Sequence, residues 1–128
     1  MAREMKLAIG LSIVLAIASL LGCQREKLTT AAEFAGGNPG AGRDKISYYG
    51  CPACHEIAGI QTATARVGPS LAHISRQTYI AGELPNTPQN MALWIQKPRE
   101  VEPHTAMPNM NISDQDARDI TAYLYTNN

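Results

Sequence analysis

With 128 residues, 11 basic and 11 acidic side chains, and only one Trp and one Phe, the chain has the length of a single domain but few large aromatic side chains to fill its interior. That shortage leaves room for a non-protein group in the core. The even charge balance, with no clustered basic patch, excludes nucleic acid as an expected partner.

At the N-terminus, Arg3 and Lys6 precede an uncharged run from Leu7 to Leu21 whose only polar side chains are Ser12 and Ser19. A run of about 15 residues is short of the ~20 that span a bilayer but fits the hydrophobic segment of a secretory signal. It ends in Leu20-Leu21-Gly22-Cys23, which resembles the lipobox of bacterial lipoproteins. That resemblance implies a signal peptide over residues 1–22, with Cys23 as the lipidated mature N-terminus and a membrane anchor. An uncleaved anchor helix, or an ordinary signal peptide with an incidental Cys, is the alternative. Each places the domain outside the cytoplasm, in a bacterial periplasm or at an extracytoplasmic membrane face. Removing Arg3, Lys6 and Glu4 from the 11 basic and 11 acidic residues leaves 9 and 10, a nearly neutral remainder. Residues 23–41, which include Gly36-Gly37-Asn38-Pro39-Gly40, read as a flexible tether, and residues 42–128 as the folded domain.

The other two cysteines fall in Cys51-Pro52-Ala53-Cys54-His55, the Cys-x-x-Cys-His signature of covalent c-type haem attachment. Two intervening residues put both thiols on one turn, spaced for thioethers to the two vinyl groups, and the adjacent His55 falls under the iron. A structural zinc site would need four ligands, and there is no second Cys pair or His-x-x-x-His to complete it. A thioredoxin-like pair would sit in a βαβ pattern, which the flanking sequence lacks. A plain disulfide is compatible with an oxidising compartment but does not account for His55.

From about Gly42 to Tyr125 the chain resembles class I cytochromes c. The resemblance implies an all-α fold: a few helices around one covalently attached haem, an N-terminal helix crossing a C-terminal one. It also implies roles for particular residues. Val67-Gly68-Pro69-Ser70-Leu71 is similar to the family's proximal loop, in which the Pro69 carbonyl accepts a hydrogen bond from the axial His55 imidazole and fixes its orientation. An ordinary turn is the alternative.

Thr87 followed by Pro88 reads as an N-cap and first residue of a helix that carries Met91, Trp94 and Ile95 and stops near Pro98. In the family a Trp after this stretch donates its indole N–H to a haem propionate. Core packing is the alternative for Trp94, and Tyr79 is a weaker candidate for the same contact. Pro103-His104-Thr105-Ala106-Met107-Pro108-Asn109-Met110 is where the family places its second axial ligand, which puts Met107 on the iron, with Pro108 restricting the backbone after it. Met110 is an alternative ligand, with Met107 then a gap-filler, and His73 or His104 would each make a bis-His haem. The last helix is expected from Ser113, paired with Asp116 in a capping-box-like arrangement, and repeats apolar residues at Ala117, Ile120, Tyr123 and Leu124. Gly42, one turn before Ile46, sits where family members bring the two terminal helices into close contact.

His/Met ligation favours ferrous iron and keeps it six-coordinate in both oxidation states, which suits electron transfer rather than oxygen chemistry. The expected function is that of a monohaem electron carrier, working between redox protein complexes that act as its donor and acceptor, with no small-molecule substrate. The stretch from Ala81 to Trp94, continuing through Pro103 to Pro108, resembles cytochrome domains of terminal-oxidase subunits, which implies a donor to, or a subunit of, an oxidase. The alternative from another class is a haem peroxidase or ligand-binding sensor with a displaceable Met. A bacterial dihaem peroxidase needs two haem motifs, and this sequence has one.

Overall fold

Chain order in the computed structural model, which describes residues 36–127, is helix α1 (Pro39–Tyr48), a 3-10 turn (Cys51–Ala53), a second 3-10 turn (Ile74–Arg76), the two-stranded hairpin β1 (Tyr79–Ile80) and β2 (Leu84–Pro85), then helices α2 (Pro88–Gln96), α3 (Pro98–Val101) and α4 (Asp114–Thr126). The expected signal segment 1–22, the expected lipidation site Cys23 and most of the expected tether, residues 24–35, lie outside the described residues. Among those described, no helix is long and apolar enough to cross a membrane.

Helix α1 starts where extended Asn38 accepts from the N–H groups of Gly40 (2.8 Å) and Ala41 (3.1 Å), with Pro39 at the first position, where a missing N–H costs nothing. Residues 39–41, expected as the end of a tether, are instead the first turn of a helix. Asn, Pro and Gly suit turns, and Asn followed by Pro also suits a helix start. What decides the matter is distant in sequence: the Asn38 N–H donates to the buried Asp119 carboxylate at 2.7 Å.

The α1–α4 pair is the most extensive packing in the fold, and α2 lies against α4 as well. Glycine permits the crossing. A Cβ on Gly42 would sit 1.9 Å from the Asp119 carbonyl oxygen, and one on Gly37 2.2 Å from that of Arg118. The close contact expected at Gly42 is thus present. Around it Ile46 of α1 and Ala117, Ile120, Tyr123 and Leu124 of α4 are buried, and Met91 and Ile95 of α2 complete the core with Ile57, Ile60, Ala63 and Ile80. Every apolar position expected on the last helix faces inward, as a 3.6-residue period requires.

Ser113 caps α4 by accepting from the Asp116 N–H at 3.2 Å, but the Asp116 carboxylate does not complete the box. It turns to α1, taking the Tyr49 hydroxyl at 2.7 Å and the Lys45 ammonium at 3.1 Å. The Tyr49 hydrogen bond, with Lys45 second, holds the Asp116 carboxyl below the ordinary carboxylate range. A carboxyl depressed by folding contributes stability above its unfolded value of about 4 and loses that contribution as pH falls through its folded value. Asp116→Asn is expected to lower Tm by a few degrees at neutral pH and to shrink the fall in Tm between about pH 4 and pH 2, as thermal unfolding followed against pH would register.

The hairpin qualifies the all-α expectation without changing the fold class. Tyr79 pairs with Pro85 and Ile80 with Leu84, and the chain reverses through Ala81 and Gly82 at φ 54° and 78°, with the Glu83 N–H bonded to the Ile80 carbonyl. Two consecutive left-handed residues match the twist of a tight antiparallel turn.

Candidate functional site

Cys51, Cys54 and His55 are placed by a tight turn that opens with Gly50 at φ 74°, a left-handed position suited to glycine. The Ala53 N–H returns to the Gly50 carbonyl, and the Cys54 and His55 N–H groups both return to the Cys51 carbonyl at 3.2 and 3.1 Å. Cys51 and Cys54 are both half-buried, and no disulfide joins them. Burial pushes the Cys51 thiol up, the opposite of the depressed value that a nucleophilic or thioredoxin-like thiol requires.

The proximal loop is stitched to this turn along its length. The Gly68 N–H donates to the Cys54 carbonyl at 2.7 Å, the Leu71 N–H to the Glu56 carbonyl at 2.8 Å, and between them His55 Nδ1 lies 2.8 Å from the Pro69 carbonyl oxygen. A carbonyl can only accept, so this contact places the imidazole proton on Nδ1 and leaves the Nε2 lone pair available to a metal. Gly68 is required by the same ring: a Cβ there would stand 2.4 Å from His55 Cε1 and 2.7 Å from Nδ1. The role of Gly68 was not anticipated from sequence, although a glycine immediately before the proline was its signal.

Beyond the loop, Asn86 holds the second 3-10 turn. Its side-chain amide donates to the carbonyls of Ile74 (2.6 Å) and Gln77 (2.8 Å), and its carbonyl accepts the Tyr125 hydroxyl of α4, whose pKa burial pushes up to about 12. Nothing local in the sequence pointed to Asn86.

Trp94 is half-buried against the core cluster, and its indole N–H has no acceptor among the described residues. Tyr79 is largely exposed. Helix α2 carries Trp94 as expected: Thr87 caps it by accepting from the Asn90 N–H at 3.2 Å, and it ends at Gln96, just before Pro98.

Met107 lies half-buried on the segment between α3 and α4, its N–H donating to Thr105 Oγ1 at 3.2 Å. Met110 packs against the core cluster, of which Met107 is not a member. His73 and His104 are exposed. The site thus has two parts, the Cys51–Leu71 module and the Met107 loop. Among the described residues no hydrogen bond joins them.

The donor set fits covalent haem: two thiols on one turn, an imidazole with one nitrogen committed to a carbonyl, a thioether outside the core cluster, and a spare indole N–H. Half-buried Leu71, Ile74, Leu84 and Met110 supply apolar surface beside them. 

The family model described as Cytochrome c matches residues 44–128. Over 115 residues, the chain is 26% identical to cytochrome c-552 of Bradyrhizobium diazoefficiens, an alignment covering 90% of this chain and 89% of that protein. Over 84 residues, 65% of this chain, it is 31% identical to cytochrome c oxidase subunit 2 of Alkalihalophilus pseudofirmus, of which it spans only 24%. No solved structure matches at comparable significance.

Proposed function

The chain belongs to the cytochrome c family, as a class I c-type cytochrome with covalently bound haem c, and from that premise we propose that it carries single electrons between membrane redox complexes outside the cytoplasm, held at the membrane by lipid on Cys23. When bound, haem supplies a one-electron ferrous/ferric couple. In this reading Cys51 and Cys54 would form the thioethers, His55 and Met107 would ligate the iron, and Trp94 would donate its indole N–H to a propionate.

The observation that carries the proposal is the His55–Pro69 hydrogen bond, braced by Gly68. It holds the imidazole in one tautomer and one orientation, so that the ligand need not rearrange when the iron changes charge. Packing of Met110 against the core cluster favours Met107 as the sulfur ligand, and exposure of His73 and His104 agrees with surface roles for both.

Similarity to part of an oxidase subunit favours a terminal oxidase as the acceptor, with this protein as its donor or as a fixed subunit. Lipid chains contribute about 0.8 kcal/mol per buried methylene, and two or more make anchoring stable. A potentiometric titration is expected to give one reversible one-electron wave, and washed membranes to retain the protein. Cys23→Ser, supplied with an ordinary cleavage site, is expected to move it to the soluble fraction. Release of the unmodified protein by the wash would refute the anchor, and a wave of more than one electron would refute the monohaem carrier.

A further inference from the structure

We propose that Gln96 is the latch that keeps the Met107 loop closed, a positioning residue acting on the sixth ligand through the loop; the proposal rests on the reading of Met107 as that ligand. Gln96 is the last residue of α2, and its side-chain amide donates to the Ile112 carbonyl at 3.2 Å and to Asp114 Oδ1 at 2.7 Å. One planar NH2 group therefore ties the end of α2 to the start of α4. Between these two points lies the segment that carries Met107.

The rest of that segment is bonded only to itself. The Thr105 N–H reaches the Glu102 carbonyl, the His104 N–H the Glu102 carboxylate and the Met107 N–H the Thr105 hydroxyl; among the described residues, no hydrogen bond from 103–111 extends beyond Glu102. On the far side of Met107 the chain regains the core within five residues. Met110 packs against the core cluster, Asn111 turns through φ 52°, and Ile112 is buried. Asparagine tolerates that left-handed conformation better than most residues, and the carbonyl that follows it is the one Gln96 holds. Loss of the amide would leave the return to the core fixed by packing alone. The thioether would then leave its position more often, with little change in the helix core.

The test uses the ferric protein carrying its haem, titrated with imidazole and read by loss of the thioether–iron charge-transfer band. Gln96→Met keeps the length and apolar body of the side chain but has no donor, and is expected to tighten apparent imidazole binding about tenfold or more, on the scale that follows from losing both hydrogen bonds. Gln96→Glu places a second carboxylate against Asp114 and is expected to tighten it further at neutral pH. Adding Asp114→Asn, which restores a donor to that pair, is expected to recover part of the difference.

Asn38→Ala is the control. It removes the side-chain cap that accepts from the Gly40 and Ala41 N–H groups at 2.8 and 3.1 Å, lowering overall stability outside both parts of the site, and is expected to leave imidazole affinity unchanged. Unchanged affinity in Gln96→Met, or an equal gain in Asn38→Ala, would overturn the latch. If Met107→Ala leaves the spectrum of the ferric protein unaltered, the ligand assignment itself fails and the latch falls with it, whereas failure of the latch alone leaves the Met107→Ala effect intact.

Discussion

A Cys51→Ala, Cys54→Ala double variant is expected to lose all covalently held haem. In the unmodified protein, haem should remain with the polypeptide under denaturing, reducing conditions, and intact mass should include it; in the variant both signals should vanish. The expectation is absolute because the attachment chemistry needs thiols at these two positions, and no cysteine elsewhere among the described residues offers a substitute. The fold should suffer too. A domain over residues 42–128 with one Trp and no Phe, whose Leu71, Ile74 and Leu84 are only partly buried by protein, would rely on the ring to fill its interior. Haem-free variant protein should therefore keep much of its far-UV helix signal while losing near-UV structure, with Tm well below that of the unmodified protein. Haem released intact from the unmodified protein on denaturation would refute the attachment.

The sequence was most legible where the determinant is local. Thr87-Pro88 starts a helix and Ser113 caps another because a side-chain oxygen reaches an N–H within three residues, and such caps are readable from residue type alone. The amphipathic period of α4 was equally plain. Legibility failed where the partner is remote. Asn38 begins α1 with help from Asp119, 81 positions away, and Asp116 abandons its local box for Tyr49 and Lys45 on another helix. In both cases a long-range hydrogen bond outweighs a local preference, and composition carries no trace of it.

The candidate site divides the same way. Cys51, Cys54 and His55 are a contiguous motif and were read directly, and the Pro69 contact was expected from the family resemblance rather than from any residue count. Gly68, Asn86 and Gln96 escaped because their roles are packing against one ring and hydrogen bonds across 9 to 39 positions. Glycine before proline is an ordinary turn signal until the imidazole is placed beside it.

Met107→Ala is expected to abolish the thioether–iron charge-transfer band of the ferric protein, near the red edge of the visible spectrum, and to open the iron to water or added imidazole. Met110→Ala should leave the band in place. Met110 packs against the core cluster, so truncating it should cost stability, on the order of 2 kcal/mol for a partly buried Met, without altering the ligand. Met107 is absent from that cluster, and its truncation should change Tm chiefly through the lost iron bond. Met107→His distinguishes a carrier tuned by sulfur from one tuned by its surroundings: imidazole is the stronger donor and favours ferric iron, so a low-spin haem of lower potential is expected. The band decides among the candidates. If it survives Met107→Ala and disappears in Met110→Ala, the ligand lies three residues further on. If it is missing from the unmodified protein, the His/Met reading itself fails, and a His73 or His104 ligand or an open iron site takes its place.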